Sequence, residues 1–302
     1  MPSILPIQAK LLNWYALAKR DLPWRTTDDP YKKLVAEIML QQTQVSRVVS
    51  KYQEFVGRFP SFEVLAKASR AEVIQMWSSL GYNIRAVHLH IIAKRIVAEH
   101  EGILPSDPQI LQTFRGVGPY TVAALSSFAF GKNTAVVDTN IRRVLTRLTG
   151  RIIPFRPKEL EAVADSFLPV GNTSDWNQAL MDLGAAVCLP SPKCEICPLE
   201  VHCASALLFK KCDGAVARQR PAYTSPPQSV FKGSRRFFRG RIIEALRLLP
   251  NGLTLDQLHD LVHPDSQLPY FLVIVRGLEA DGLLNVFKKS GYDIGEATVQ
   301  LP

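Results

Sequence analysis

The chain has 302 residues, 47% of them hydrophobic, so it can bury a large core and is not expected to be disordered. Its formal net charge of +9 and sequence pI near 9.4 favour a polyanionic partner. No apolar run approaches the roughly 18 residues of a membrane-spanning helix, and residues 1–10 lack a secretory signal pattern. We therefore expect an intracellular protein that does not enter a membrane.

The first two thirds of the chain are predicted to be a succession of helices. Apolar spacing predicts a first helix over 11–22, and Asp29-Pro30 is a cap followed by a proline at the first helical position. The next helix runs from about 31 to 44, and the run 45–59 continues it or follows a kink. An alternating strand pattern is almost absent before residue 280, so this part is predicted to be all-α. Further helices are predicted over 83–100, 120–130, 142–149, 157–167 and 176–187.

A basic segment and a small module follow these helices. Residues 213–234 contain three prolines and lie within the stretch 209–241, which has nine lysines and arginines against one acid; this is typical of a solvated linker, with or without an anionic partner. Beyond it, helices are predicted over 237–249, 255–262 and 270–284, with two short strand-like runs around Gly291. Three helices and a terminal hairpin resemble a small α+β winged-helix module, which we assign to residues 235–302.

The stretch 111–140 contains a tight turn between two predicted helices, Arg115-Gly116-Val117-Gly118-Pro119. Glycine lets a backbone approach a ligand closely, and a helix that starts at Pro119 presents free amides to an anion. Asp138 follows an apolar run, with Asn140 two residues further on. By itself this pattern is more typical of a helix N-cap than of a catalytic acid.

All five cysteines lie between residues 188 and 212, which favours a metal site over a disulfide framework in a reducing compartment. Four of them are spaced to offer four thiolates within sixteen residues, and Cys212 is left as an ordinary thiol. Four thiolates satisfy either tetrahedral zinc or an iron–sulfur cluster, and the spacing leaves both open. The four candidate ligands are Cys188, Cys194, Cys197 and Cys203.

The glycine turn, Asp138 and the cysteines resemble the helix-hairpin-helix, Gly/Pro-Asp superfamily of DNA base-excision glycosylases. The first half is similar to its adenine-specific, MutY-like branch, and the matches cover roughly residues 10–205. The matching segments are Leu22-Pro23-Trp24-Arg25, Asp29-Pro30-Tyr31, the run from Glu37 to Val45, Leu80-Gly81-Tyr82 and the run from Gly116 to Thr121.

This resemblance implies a two-lobed glycosylase fold over residues 1–212, with a six-helix lobe at about 28–136 and a cluster lobe at about 1–27 and 137–212. It also implies a [4Fe–4S] cluster rather than zinc, although the first cysteine gap is five residues where six are usual. Well-known members carry a Nudix-like domain at the C-terminus that reads 8-oxoguanine. Residues 235–302 do not match it.

The resemblance assigns roles to four candidate catalytic residues. Glu37, an acid inside an apolar helix, would be the general acid that protonates adenine N7, unless it is a hydrogen-bonded core acid. Asp138 would stabilise the oxocarbenium-like sugar, and Asn140 would orient the carboxylates, although the family commonly has glycine where this chain has Thr139. Tyr120 stands where strand-cleaving relatives carry lysine, which implies a monofunctional glycosylase.

The implied partner is double-stranded DNA with a mismatch, opened so that the target base enters a pocket. We expect a monomer in the cytoplasm or nucleoid that releases adenine opposite 8-oxoguanine or guanine. Two alternatives remain, a thymine or uracil mismatch glycosylase of the same superfamily and a non-catalytic DNA-binding regulator. The resemblance places Gln42 and Tyr82 as wedges in the duplex, Gly116 and Gly118 at a phosphate, and Trp24, Arg25, Leu40 and Gln178 around the flipped adenine.

Overall fold

The described residues of the computed structural model are 4–151, 155–211, 230–288 and 293–302. Its helices are α1 Ile4–Ala18, α2 Pro30–Leu40, α3 Val45–Arg58, α4 Phe62–Lys67, α5 Arg70–Met76, α6 Ile84–Glu99, α7 Pro108–Gln112, α8 Pro119–Phe128, α9 Thr139–Leu148, α10 Pro157–Ser166, α11 Thr173–Ala186, α12 Ala206–Lys211, α13 Arg235–Leu248, α14 Leu255–Val262 and α15 Leu268–Ala280. The strands are β1 Leu253–Thr254, β2 Asn285–Phe287 and β3 Thr298–Gln300. No helix in these ranges is long and apolar enough to cross a membrane.

The chain divides into two units, each built from separate segments. The first unit contains α1, α7 to α12 and the cysteines, and the second contains α2 to α6 and the C-terminal module. The first unit comprises Met1–Pro30, Ser106–Gln112 and Val117–Pro227, and the second comprises Tyr31–Pro105, Thr113–Gly116 and Gln228–Pro302. The predicted domain boundaries stay a prediction, and most of the predicted linker lies outside the described residues.

The first unit is held by an apolar core that α1, α9 and α11 share. Ile7 and Leu11 of α1 pack with Leu145 of α9 and Trp176 of α11, and all four side chains are almost fully buried. Burying side chains of this size contributes roughly 1.5–3 kcal/mol each. The N-terminal helix α1 therefore completes a core whose other helices, α9 and α11, lie more than a hundred residues later in the sequence.

In the second unit, the C-terminal module shares its core with the helical segment that precedes it. Ile74 of α5 and Val87 of α6 belong to the same buried cluster as Phe238, Ile242 and other apolar residues of α13 to α15. Polar contacts support this packing, because Arg247 Nη2 donates to the backbone oxygen of Ile74 at 2.8 Å. The module is thus fixed on α5 and α6.

Local signals in the sequence predicted most helix starts. Ser69 and Glu72 have the three-residue spacing of a capping box, and the box is present at α5; Thr254, which directly precedes the helix predicted over 255–262, caps α14. The three C-terminal helices and the pairing of β2 with β3 confirm the small α+β module. The sheet order is β1-β3-β2 and all pairs are antiparallel.

Two predicted helix boundaries were wrong. The first helix is α1, Ile4–Ala18, instead of 11–22, because Ile7, Leu11 and Tyr15 form its buried stripe and residues 19–22 follow as coil. The helix at 31–44 ends at Leu40, and a break precedes α3. Strand β1 lies before residue 280, but its two residues are too few to give an alternating pattern, so it does not contradict the near absence of such a pattern in the sequence.

Candidate active site and cysteine cluster

Asp138 caps α9, and its carboxylate also enters a longer hydrogen-bond chain. Oδ1 accepts from the Ile141 amide at 2.7 Å, and Oδ2 accepts from Asn140 Nδ2 at 2.9 Å. Burial raises the pKa of Asp138, against these donors and the charge of Arg143, which act to lower it. The cap interpretation is therefore confirmed. The cap bond and the bond from Asn140 together hold both carboxylate oxygens in fixed positions.

Arg143 connects this carboxylate to the cysteine loop, a role that no motif indicated. Its Nη2 donates to Asn140 Oδ1 at 2.8 Å and to the Gly184 oxygen at 2.6 Å, and its Nε donates to the Cys188 oxygen at 2.7 Å. The approach of α9 to α11 depends on Gly184, because a Cβ there would lie 2.6 Å from the Asn140 Cβ. Asp138, Asn140 and the start of the cysteine loop are thus one connected network.

Asp182 organises the segment that carries two of the predicted adenine contacts. Its carboxylate is 1% exposed and accepts from Arg25 Nη1 and Nη2, both at 2.8 Å, and from Arg20 Nε at 2.7 Å. Burial acts to raise the pKa of Asp182, but the bonds and charges of Arg25 and Arg20 outweigh it and hold that pKa below its ordinary value. Gln178 is connected to this group through Tyr15. The Tyr15 hydroxyl donates to Gln178 Oε1 at 3.0 Å, and the Arg25 guanidinium lies 5.8 Å from the centroid of the Tyr15 ring.

Two further predicted adenine contacts lie apart from this group in the chain. Trp24 is buried in the turn that follows α1, within the first unit. Leu40 is the last residue of α2 in the second unit and is partly buried.

Glu37 lies on α2, a helix buried on nearly all sides. The Glu37 residue is 8% exposed, while its neighbours Ala36 and Ile38 are 1% exposed. A carboxyl group in such surroundings costs free energy unless a partner or a proton compensates it. The structure thus confirms the predicted burial of this acid.

Two loops of the second unit carry the predicted wedge residues in strained backbone conformations. Gln42 has φ of 56° and Tyr82 has φ of 45°, both in the left-handed region that side chains other than glycine rarely adopt. Arg85 holds the two loops together. Its guanidinium donates to the oxygens of Met39 at 2.9 Å and Gly81 at 3.1 Å and to Thr43 Oγ1 at 2.9 Å.

Arg85 is 5% exposed, and burial lowers its pKa to about 10. Nothing in the sequence marked this arginine, because its position on α6 has the spacing of an ordinary surface residue. Buried arginines are rare unless they are paired, and here backbone oxygens take the place of a carboxylate.

The two glycines of the predicted hairpin differ in conformation. Gly116 adopts φ of 90°, whereas Gly118 has φ of −88° and serves as the N-cap of α8. A Cβ at Gly116 would lie 2.8 Å from His88 Nδ1, so this position requires glycine for space as well as conformation. Tyr120, in the first turn of α8, is 36% exposed and is therefore accessible from solvent.

The four predicted cysteine ligands line one small cavity. Arg147 lines it as well and donates from Nη1 to Cys188 Sγ at 3.3 Å and to the Leu189 oxygen at 2.6 Å. Burial raises the pKa of Cys197 to about 12 and that of Cys203 to about 11. Among the described residues, no group of three or more His, Cys, Asp or Glu is arranged to hold a metal ion.

The chain is similar to known DNA repair proteins. The model described as "HhH-GPD superfamily base excision DNA repair protein" matches residues 35–168. The adenine DNA glycosylase of Mycolicibacterium smegmatis is 39% identical over 261 residues, which is 85% of each chain. A solved thermostable thymine-DNA glycosylase aligns with a TM-score of 0.64 and 32% identity over 68% of this chain and 97% of its own.

An endonuclease III–DNA complex shares the fold, with a TM-score of 0.60 and 22% identity over 70% of this chain and 99% of its own. The fold, the hairpin and these matches define a DNA-binding glycosylase of base-excision repair, a hydrolase of N-glycosyl bonds. Within that class, the chain belongs to the MutY-like adenine DNA glycosylase family of the HhH-GPD superfamily.

Proposed function

We propose that this enzyme hydrolyses the N-glycosidic bond of adenine mispaired with 8-oxoguanine or guanine in double-stranded DNA and leaves the strand intact. The observation that carries the proposal is Glu37, a carboxyl group that is 8% exposed on the buried helix α2. The similarity of the chain to the adenine DNA glycosylase of Mycolicibacterium smegmatis supports adenine as the base released.

In the proposed reaction, Glu37 gives its proton to adenine N7. The electron pair of the bond between the sugar and N9 then moves to the base, which departs as neutral adenine, and the sugar becomes oxocarbenium-like. A proton donor that is shielded from bulk water transfers its proton to the substrate rather than to solvent. Attack of a water molecule on the sugar carbon, with transfer of its proton to the Glu37 carboxylate, completes the hydrolysis and restores the acid.

Asp138 is proposed to stabilise the positive charge that develops on the sugar. Its two oxygens accept from the Ile141 amide and Asn140 Nδ2, so the carboxylate is oriented before the substrate arrives. Tyr120 has no amine and cannot form a Schiff base with the sugar. The enzyme is therefore proposed to release the base without cutting the strand.

Four cysteines around one cavity support a [4Fe–4S] cluster. Zinc would draw four sulfurs to about 2.3 Å from one centre, whereas a four-iron cube binds each thiolate at a separate iron. Cys188, Cys194, Cys197 and Cys203 line the same cavity and would be the four ligands of the cluster. Such a cluster would hold the loop in shape, because base release transfers no electrons.

The remaining proposed contacts concern DNA. Gln42 and Tyr82 wedge into the duplex, and the amides near Gly116 and Gly118 bind a phosphate. Trp24, Arg25, Leu40 and Gln178 surround the flipped adenine, and we propose that one chain acts alone on chromosomal DNA in the cytoplasm or nucleoid. The amide of Gln178 can both donate and accept, as the N6 and N7 edge of adenine requires.

A panel of duplexes tests the substrate. Purified protein is incubated with DNA that carries adenine, thymine or uracil opposite 8-oxoguanine or guanine, and base release is measured after alkaline cleavage. We expect release of adenine alone, and no cut strand when alkali is omitted. Release of thymine or uracil alone would establish the second candidate, which the similarity to the thymine-DNA glycosylase favours.

Two variants test the role of Asp138. Asp138→Asn should abolish adenine release yet bind the mismatched duplex as the wild type does, because an amide has no charge to stabilise the cation. Asp165→Asn makes the same change at an exposed residue of α10 and should leave release unchanged. Undiminished release by Asp138→Asn would refute the catalytic assignment and leave the cap as its only role.

The number of metal ions tests the cofactor. We expect about four irons per chain and a broad visible absorption band, both lost in Cys197→Ala. One zinc per chain without a visible band would contradict the proposal of a cluster.

A further inference from the structure

Arg247 of α13 is a buried arginine that joins the C-terminal module to α5 and to the turn before α6. Its side chain is 8% exposed. Nη2 donates to the Ile74 oxygen at 2.8 Å and to Asn83 Oδ1 at 2.9 Å, and Nη1 donates to Glu244 Oε2 at 2.9 Å. Two of these three partners therefore belong to the helical segment of the second unit and not to the module itself.

The bond to Ile74 stabilises the attachment of the module. Ile74 lies in the last turn of α5, where carbonyl oxygens lack partners further along the helix and where a cation is favourable. Its side chain is fully buried and belongs to the core that α5 and α6 share with the module. Arg247 thus caps α5 at the point where the module is fixed.

The bond to Asn83 concerns a different feature, the turn that carries Tyr82. Asn83 directly follows Tyr82 and is the N-cap residue of α6, but its side chain makes no cap bond to that helix. Its amide oxygen accepts from Arg247 instead. Tyr82 has φ of 45°, a conformation that costs free energy for a residue other than glycine and persists where its surroundings enforce it. Arg247 is one of the groups that surround this turn.

The turn of residues 80–83 is held from two directions. From α6, Arg85 Nη2 donates to two of its backbone oxygens at 3.1 and 3.2 Å. From the module, Arg247 bonds the last side chain of the turn, and Arg236 Nη1 donates to the Tyr82 hydroxyl at 3.3 Å. The conformation of the turn therefore depends on α13 as well as on α6.

We propose that Arg247 is a positioning residue that acts through Asn83 and keeps Tyr82 in the conformation that opens the duplex. This inference rests on the proposed wedge role of Tyr82. Arg247 is buried against protein atoms, so its effect is independent of the base that lies opposite the target adenine. The C-terminal module thus takes part in duplex opening by holding the turn and not by reading a base.

The effect of losing this contact follows from the order of events on DNA. The duplex opens before the base is released, and bound DNA is held mainly through its phosphates. A turn that leaves its conformation lowers the fraction of bound duplex that is open. One hydrogen bond to a charged group corresponds to about tenfold in such an equilibrium. Opening should therefore fall by more than affinity does.

The test measures opening of bound DNA without base release. 2-Aminopurine, whose fluorescence rises when it unstacks, stands next to a target adenosine with a fluorinated sugar that resists hydrolysis. Full-length protein is added to saturation, with guanine opposite the target in one duplex and 8-oxoguanine in another. Asn83→Ala and Arg247→Met should each lower the opening equilibrium about tenfold in both duplexes. The Kd should rise by a smaller factor.

A double variant separates positioning from stability. Arg247→Met also removes the donor to the Ile74 oxygen, so it should lower the urea midpoint in the wild type and in Asn83→Ala alike. It should reduce opening only in the wild type, because the effect on Tyr82 passes through Asn83. Asn83→Ala by itself keeps the bond to Ile74, so it tests the inference even where Arg247→Met does not fold.

Glu244→Gln is the matched control. It changes the exposed partner of Arg247 on the same helix and leaves the bonds to Ile74 and Asn83 in place. Opening and Kd should both equal those of the wild type.

Three results would overturn the inference. Wild-type opening by Asn83→Ala would show that this bond does not position the turn, and additive losses in the double variant would show that the two residues act independently. A loss confined to one opposite base would place the pair in base recognition. Adenine release is measured separately on the unmodified duplexes. Its absence in the wild type, with the coupling in opening intact, would refute the proposed function alone.

Discussion

Replacement of Arg85 by methionine should destabilise the second unit and loosen both proposed wedge loops. Methionine keeps the aliphatic length of the side chain but removes every donor. The carbonyl oxygens of Ile38 and Met39, in the last turn of α2, accept from Arg85 Nη1 at 3.1 and 2.9 Å, and both residues are almost fully buried. Two buried acceptors left unsatisfied at about 1.5 kcal/mol each give a loss of about 3 kcal/mol.

Urea denaturation of the wild type and of Arg85→Met measures this loss as a lower midpoint at an unchanged slope. Arg95→Met is the matched control, because it makes the same change on the same helix at a partly exposed arginine that bonds Glu99 and Thr113. A surface pair of this kind contributes about 1 kcal/mol or less. Equal midpoints for the two variants would refute the reasoning that Arg85 stabilises the loops through buried acceptors.

Three other changes have expected outcomes. Arg143→Met should slow adenine release more than it weakens DNA binding, because Asn140 loses a partner and Asp138 its fixed orientation; equal losses in single-turnover rate and affinity would contradict this. Asp182→Asn should cost about 3 kcal/mol at neutral pH, since Arg25 keeps a buried charge without a counterion. The pKa of Asp182 is lowered in the folded protein, so its stabilisation is complete above about pH 5 and fades as pH falls through the folded value. The wild-type and Asp182→Asn urea midpoints should therefore converge in acid, and a constant gap would exclude this assignment. Removal of the proposed iron from the wild type by a chelator should lower its melting temperature. A melting curve that does not change when iron is lost would show that the fold around the four cysteines does not depend on iron.

Much of the fold follows from signals that span three or four residues. The side chains of Ser69, Asp138 and Thr254 cap their helices where the sequence indicated, since a cap needs only the next three amides. Gly116 takes the left-handed conformation that a hairpin turn requires. The boundaries that failed, such as the start of α1, depend on which face of a helix meets a distant core.

The networks within the candidate site could not be predicted from the sequence. Arg20 reaches Asp182 across 162 residues, and Arg236 reaches Tyr82 across 154. Residue spacing carries no information about such pairs, because only the packing of helices from separate segments brings their side chains together. Arg85 and Arg143 were missed for the same reason, since their partners are mostly backbone oxygens of other elements, which any sequence supplies.

The sequence by itself indicated the candidate residues, namely the acid in α2, the hairpin, Asp138 and the four cysteines, through local motifs and the family resemblance that those motifs carry; their chemical roles stay a prediction. The tertiary structure decided what surrounds them. It ties Asp138 to the cysteine loop through Arg143 and places Arg236 of the C-terminal module beside Tyr82. The physical reason is that chemistry needs particular side chains, whereas their orientation depends on long-range packing and on backbone acceptors that have no signature in the sequence.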